Sequence, residues 1–424
     1  FCAAKLTPPK NVSSMPQTSI FFMAVLPKRV RYRRRARSCF FEWIGKRAAK
    51  RSGTITSYIQ ATTTPLYIFV PDNNIDSGIP NGETPASIAC IYGVTSQTPG
   101  CPKGGTVVPA GGSKAIAVVE KGRYAGLQSD LATFSSQFGI GGNTSIIEIC
   151  TPGPPPCPSN SGTGWDLETA LDVEHAHAMA PNAQIIVAEF SGDPLRDGAE
   201  TQAALYLASN YGGGEVSNSW GYNNGEGWCG IGNCELASDT YFQQPGVVYF
   251  ASAGDNGLSP QYPSVSPNVV SAGGTSIQRD SNGNFTGERC WGGSGGGISQ
   301  YEPLPQFELF IANKTGTKRG TPDWAAEADP GSGVDVYNTT YCAGWCTVGG
   351  TSAAAPVLAG IVNQAGSFAA SSARELSKTY QYYINPVSYH TKFYDVTTGT
   401  NGSPAGSGWD QCTGLGSVRQ PAAF

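Results

Sequence analysis

Histidine is scarce in this chain: His175, His177 and His390 are the only ones in 424 residues. None stands in a His-Gly-Thr context, so an imidazole base for a serine nucleophile has no candidate. His175 and His177 lie two apart and do not share a helix face, which assigns them to helix packing or surface. No zinc-type spacing of Cys and His occurs, and there is no internal repeat. Charge is sparse as well, at 14% of residues, leaving surface polarity to Ser, Thr, Asn and Gln. The apolar run over 20–26 is too short to span a bilayer. It also precedes a basic run, the reverse of a secretory signal.

Glycine and cysteine are plentiful, with Gly 55 and Cys 12. Glycine lets backbone approach a substrate closely. Four cysteine pairs lie close in sequence: Cys90 with Cys101, Cys150 with Cys157, Cys229 with Cys234, and Cys342 with Cys346. Each would staple a short loop and add modest stability. Cys290 and Cys412 are left with their partners open, each other being one option, and Cys2 and Cys39 lie near the N-terminus. The rival reading is a reduced cytosolic protein with free thiols; the close pairs favour a secreted or extracytoplasmic one. Sequons at Asn11, Asn143, Asn284, Asn313, Asn338 and Asn401 matter only in a host that glycosylates.

Charge is unevenly placed. Residues 1–51 hold 13 Lys/Arg against one acid, Glu42, leaving 14 basic and 30 acidic residues over 52–424, a formal net of −16. An acidic body sheds charge as pH falls and suffers little self-repulsion in acid. The basic run over 28–37 has the composition to bind nucleic acid or anionic lipid. Residues 1–80 are expected to be a basic, disordered tail or a truncated or misassigned start. Length alone suggests two or three domains, but the motifs spread over one unit, 81–424. Nucleic acid is expected as a partner only through the tail, a membrane not at all, and the chain is expected to be a monomer.

The chemistry lies in Val348-Gly349-Gly350-Thr351-Ser352-Ala353-Ala354-Ala355-Pro356. Two glycines permit a tight turn and the alanines open a helix. Ser352 then sits at a helix N-terminus, where free N–H groups and the dipole favour a developing oxyanion. A nucleophilic serine needs a base. Glu168 and Asp172 are four apart and share one helix face, where like charges hold a proton on one carboxyl to higher pH. A Glu titrating at about pH 4 can act as base where a histidine is protonated. Asp255 follows the apolar run Val247-Val248-Tyr249-Phe250, placing it at the carboxyl end of a strand, where α/β sheets put their sites. Protonated, it can donate to an oxyanion. Singly, each motif has an ordinary alternative: a helix start, a solvated acidic pair, a turn aspartate.

Together these motifs resemble the sedolisins, the serine-carboxyl peptidases with a subtilisin-like fold. The resemblance runs from Thr84 to the C-terminus. It implies that Ser352 is the nucleophile and Glu168 its base, that Asp172 orients and proton-couples Glu168, and that Asp255 joins the Ser352 N–H in an oxyanion hole. The family motif Ser-Gly-Thr-Ser begins here with Gly349. Val118-Val119-Glu120 resembles a strand whose Glu extends the carboxylate network in some members. Ser217-Asn218-Ser219-Trp220-Gly221 resembles the substrate-side strand and Ser294-Gly295-Gly296-Gly297 a glycine segment lining the cleft. Ser219, Trp220, Gly221, Ser294, Gly295 and Gly296 are therefore candidates for substrate contact. Arg319-Gly320-Thr321-Pro322-Asp323 resembles the loop preceding the serine. The family's folded pro-domain does not fit in residues 1–80.

The resemblance also implies Ca2+, held by the carboxylates of Asp395 and Asp410, the carbonyls of Val396, Gly406 and Gly408, and a water. Calcium prefers such hard oxygen donors, although the spacing alone reads as a polar turn. The implied partner is a protein or peptide substrate cut at acid pH, by an endopeptidase or a tripeptidyl-peptidase. The alternatives are a catalytically inert peptide-binding member on the same scaffold and a basic-tailed nucleic-acid binder.

Short apolar runs predict strands over 115–119, 183–188, 215–219, 247–251 and 269–272. Helices are expected over 127–138, 167–180, 199–208 and 234–242. Strands buried on both faces and linked by helices indicate a doubly wound parallel sheet with flanking helices, to which the resemblance adds the subtilisin-like fold and the C-terminal calcium loop. The Pro- and Ser-rich stretch 151–161 reads as a surface loop.

Overall fold

The computed structural model describes residues 62–70, 81–96, 98–153, 157–159, 162–229 and 233–424. The basic and apolar runs near the N-terminus, Cys2, Cys39, Asn11 and the expected disorder of the tail lie outside them. Among the described residues no helix is long and apolar enough to cross a membrane.

The strand Ala115–Lys121 is buried as far as Glu120. It pairs in parallel with Gln184–Phe190 on one side and Gly214–Asn218 on the other. Ile146–Thr151 adds in parallel beyond the first. Beyond the second come Val247–Ser252, Val270–Arg279 and Trp324–Glu327, all parallel. Short strands near the C-terminus and the antiparallel Phe285–Cys290 complete a ten-stranded sheet. Such strands have no wet face, which is why they read as continuous apolar runs. Helices Leu127–Phe138, Trp165–Met179, Thr351–Ala365 and Ser372–Tyr383 contribute to the core on one face, and Ala199–Tyr211 to the core on the other. This is the doubly wound arrangement expected.

Some elements differ from expectation. The helix over 234–242 is a helix Asn233–Ser238 followed by a 3-10 turn Asp239–Phe242. Arg319 lies not in a loop but in the strand Lys318–Thr321. Fully buried, it pairs with Glu308 and, at 2.6 Å, with Asp323; a guanidinium taken out of water requires such partners. Two described stretches of the expected tail, 63–65 and 68–70, join the sheets of the body: Thr63–Pro65 pairs with Trp220–Tyr222, and Ile68–Val70 with the strand Gly344–Gly349. The four close cysteine pairs are disulfides, and Cys290 joins Cys412 across 122 residues. The last closes the longest loop, for which chain entropy alone gives about 5 kcal/mol.

Two local features seat the site. Gly360 allows the helix Thr351–Ala365 to cross Trp165–Met179 in direct contact: a Cβ there would come 2.5 Å from the Met179 Cβ and 3.1 Å from the Ala176 carbonyl. Pro356 has no N–H, so the Ser352 carbonyl loses its helical partner. The Ser219 hydroxyl lies 3.3 Å from that carbonyl instead.

Candidate active site

Ser352 is fully buried in the first turn of its helix. Its hydroxyl donates to the Ser219 carbonyl at 3.4 Å. Glu168, Asp172 and Glu120 are buried beside one another, the first two on one face of the Trp165–Met179 helix and Glu120 at the end of the central strand. Burial, then Asp172, then Asp255 hold the Glu168 proton well above the usual carboxyl range, while the nearby Ser352 hydroxyl eases the ionised form. Neither Glu168 oxygen has a well-formed hydrogen bond. Asp172 accepts from the Ser219 hydroxyl at 2.8 Å. Burial pushes its pKa up to about 8, against the pull of Ser219 and Glu120. Glu120 is raised by burial and then by Asp172 and Glu168; it shares a hydrogen bond with Asp172, and the Thr169 hydroxyl lies 3.4 Å away. Three carboxyls buried side by side cannot all ionise, so they share protons.

Asp255 lies across from this network. Its Oδ1 accepts from the Thr351 N–H at 2.8 Å and the Thr351 hydroxyl at 2.9 Å, while its shielded Oδ2 has no partner. Burial raises its pKa to about 7 against those two donors. In acid the side chain is therefore neutral, with Oδ2 available to donate. Thr351, in sequence only a member of the serine motif, is what orients it.

The cleft is occupied by the chain itself. The Leu66 N–H donates to the Ser219 carbonyl at 3.3 Å, and the Leu66 carbonyl accepts from the Ser352 N–H at 3.0 Å. On the N-terminal side Pro65, Thr64 and Thr63 pair antiparallel with Trp220, Gly221 and Tyr222. On the other side Ile68, Phe69 and Val70 pair with Gly349, Val348 and Thr347. Tyr67 sits between, its phenol held in the protonated form by burial and then by the Glu168 charge. Gly350, at φ +102°, makes room: a Cβ there would lie 2.6 Å from the Leu66 carbonyl oxygen and 2.7 Å from Asp255 Oδ2. Those two oxygens therefore flank one small space. By sequence, Leu66 and Tyr67 fall within the expected tail. Their signal is a Thr/Pro stretch running into β-formers, Thr63-Thr64-Pro65-Leu66-Tyr67-Ile68-Phe69-Val70, which suits an extended strand.

The candidate substrate contacts divide. Ser219, Trp220 and Gly221 border the occupied cleft through their backbone, while the Trp220 ring is fully buried in the core. Ser294, Gly295 and Gly296 are buried against other parts of the chain. The Ser294 hydroxyl accepts from the Gly274 N–H and donates to the Cys412 carbonyl. Gly295 bonds to Gly254, and a Cβ on Gly296 would strike the Gln411 carbonyl at 2.3 Å. These glycines are needed for backbone-on-backbone packing. His175 and His177 are buried packing residues, the first bonded at 2.9 Å to the Asp335 carbonyl.

Buried carboxyls outside the site follow the same rule. Burial raises Glu200 and Glu215 to about 8 each, against single amide partners, Asn218 and Asn363. A carboxyl raised on folding contributes stability that is fully present below its unfolded pKa, about 4.3, and lost as pH rises through the folded value. Burial lowers His175 and His177 to about 4. Their neutral forms stabilise the fold above the unfolded value of about 6.5, and that stability is lost as pH falls through about 4. The expected result is a melting temperature highest at about pH 4–6 that falls steeply toward pH 8, as charging two such carboxyls removes several of the ~5–15 kcal/mol a domain has. Melting curves across pH check it; a flat profile up to pH 9 would refute it.

The C-terminal loop brings a second pair of carboxylates together. Asp395 accepts from the Gly408 N–H at 3.0 Å and the Tyr389 hydroxyl at 3.1 Å, and Asp410 Oδ2 accepts from the Gly406 N–H at 3.1 Å. Val396 is buried next to Asp395. The Tyr389 phenol is held protonated by burial and then by Asp395, with Asp410 adding. Two anions and a glycine turn rich in carbonyls form a donor set of hard oxygens, which suits calcium. The Cys290–Cys412 disulfide ties this loop to the sheet.

Comparison with known proteins bears on the family and the fold. Residues 159–385 match the subtilase family. The chain is 30% identical over 345 residues to kumamolisin of Bacillus sp. (strain MN-32), covering 72% of this chain and 58% of that protein. It is 25% identical to sedolisin of Pseudomonas sp. (strain 101), covering 81% and 60%, and 28% identical to tripeptidyl-peptidase 1 of Dictyostelium discoideum, covering 72% and 53%. It thus spans somewhat over half the length of these relatives. Among solved structures, Pseudomonas sedolisin, a serine-carboxyl proteinase complexed with pseudo-iodotyrostatin, superimposes with a TM-score of 0.65 at 22% identity, over 80% of this chain and 96% of that one; that likeness bears on the fold. With a family match over half its length, a subtilisin-like sheet and a serine set among carboxylates, the chain belongs to the subtilase family and, within it, to the sedolisins.

Proposed function

We propose that this chain is a serine-type peptidase acting in acid, with Ser352 as nucleophile and Glu168 as base. The observation that carries the reading is the seat of Leu66, whose carbonyl accepts from the Ser352 N–H and whose N–H reaches the Ser219 carbonyl. A peptide held in this way presents its carbonyl carbon to the serine hydroxyl. Rotation of that hydroxyl from Ser219 toward Glu168 lets the ionised fraction of Glu168, which grows as pH rises, take its proton as Oγ attacks. The oxyanion is held by the Ser352 N–H and by protonated Asp255, roughly 3–4 kcal/mol for one such donor. The C–N bond breaks as Glu168 returns its proton to the leaving amine. Water then resolves the acyl ester by the same proton path. Asp172, with Glu120 behind it, tunes the Glu168 proton affinity. Asp255 sets the upper pH limit, since it must be protonated and burial raises its pKa to about 7, while the raised proton affinity of Glu168 sets the lower one. The test is hydrolysis of an unfolded protein at about pH 4, blocked by a peptide aldehyde; binding without turnover would instead support the inert scaffold.

Calcium belongs to the same reading, held by the carboxylates of Asp395 and Asp410 and the carbonyls of Val396, Gly406 and Gly408. When bound it would neutralise the two carboxylates and brace the loop. Chelation is expected to lower the melting temperature, by about 3 kcal/mol of stability if the ion stands at a hundredfold its Kd. Calcium addition should restore it; a melting curve indifferent to both would remove the site. The disulfides suit a secreted or extracytoplasmic location.

A further inference from the structure

The occupied cleft bears on how the enzyme measures its substrate. If the peptidase reading above holds, Leu66–Tyr67 is the bond presented to Ser352, and Thr64 is the third residue before it. An enzyme that removes tripeptides must stop the chain at that third residue and hold a free ammonium there. This cleft does neither. Thr64 lies opposite Gly221, which has no side chain to form a wall, and Thr63 continues in register opposite Tyr222. Thr62 follows, its carbonyl accepting from the Asn223 N–H at 3.1 Å and its hydroxyl from the Asn223 side chain at 2.7 Å. Asn223 and Asn224 are exposed, so the groove leads out to solvent. The neighbouring hollow of about 280 Å³ is lined by amides, among them Asn224, Asn256, Gln261 and Gln300, with Glu226 as its carboxylate. Glu226 is already engaged by the Ser299 hydroxyl and, at 2.9 Å, the Gln300 N–H. Burial raises its pKa above the usual value, which further unsuits it to capture an ammonium.

We infer that the chain is an endopeptidase whose cleft reads an extended backbone from the fifth residue before the cut bond to the fourth after it. Recognition is by β-pairing on both sides: Trp220–Asn223 grips the N-terminal half and Thr347–Gly349 the C-terminal half. Main-chain pairing supplies affinity without demanding a terminus.

The experiment uses the full chain at about pH 4 and two probes. One is an internally quenched peptide with an acetylated N-terminus and five or more residues before the cleavage site. The other is a free-amine tripeptide joined to a fluorophore. The acetylated peptide is expected to be cut internally. Shortening its N-terminal side from five residues to three should lower kcat/KM by about tenfold, as two pairing positions are lost, and removing the acetyl group from the shortened peptide should not restore it. Cleavage confined to free-amine tripeptides would overturn the inference while leaving the peptidase reading intact. No cleavage of either probe would overturn that reading, and this inference with it.

Discussion

Ser352→Ala yields a folded protein that cuts nothing. Alanine suits a helix start among alanines, and the hydroxyl it removes makes a long contact to the Ser219 carbonyl and a weak one to Glu168, so the melting temperature should hardly move. Turnover should fall by about a millionfold, the scale seen when the nucleophile of a cooperating set is lost. The cleft occupant offers a second readout that needs no added substrate. Brought to about pH 4, the native chain should cut at Leu66–Tyr67 and give a product beginning at Tyr67, detected by intact mass. The Ser352→Ala variant should stay whole under the same treatment. A variant that still cuts, at that bond or in added peptides, would move the nucleophile elsewhere.

Glu168→Gln separates activity from stability in opposite directions. The amide keeps the shape but cannot accept the serine proton, so kcat should drop by about 10⁴-fold or more. The same change removes a carboxyl that burial and its neighbour Asp172 hold far above the normal range. Ionising that group costs the native state as pH rises; an amide carries no such cost. The variant should therefore melt higher than the native chain at pH 8, with little difference at pH 4. A merely structural Glu168 would lose stability on substitution and retain its rate. Full activity in the variant would rule out the base assignment.

Much of this site was legible because its parts are local. Gly350 and Thr351 precede Ser352 within one turn, Glu168 and Asp172 sit one helical turn apart, and Asp255 follows an unmistakable buried strand. What could not be read was distant. Thr63–Pro65 and Ile68–Val70 find their partners at Trp220–Tyr222 and Thr347–Gly349, strands far from them along the chain. No periodicity in a threonine-rich stretch announces such pairing. Ser294–Gly296 shows the converse: a glycine run permits close approach without saying what approaches. Here it is the carbonyls of Ala253 and Gln411.

The order of residues was sufficient for the sedolisin assignment, the doubly wound parallel sheet, and which hydroxyl and carboxyls belong together, since these follow from short-range spacing and from apolar runs with no wet face. Tertiary structure alone decided where the protons reside and what fills the groove. Crossing two helices at Gly360 carries Glu168, Asp172 and Ser352 into a space shielded from solvent, and proton affinity there is set by lost hydration and by neighbours brought from afar, neither of which is a property of any local stretch of chain.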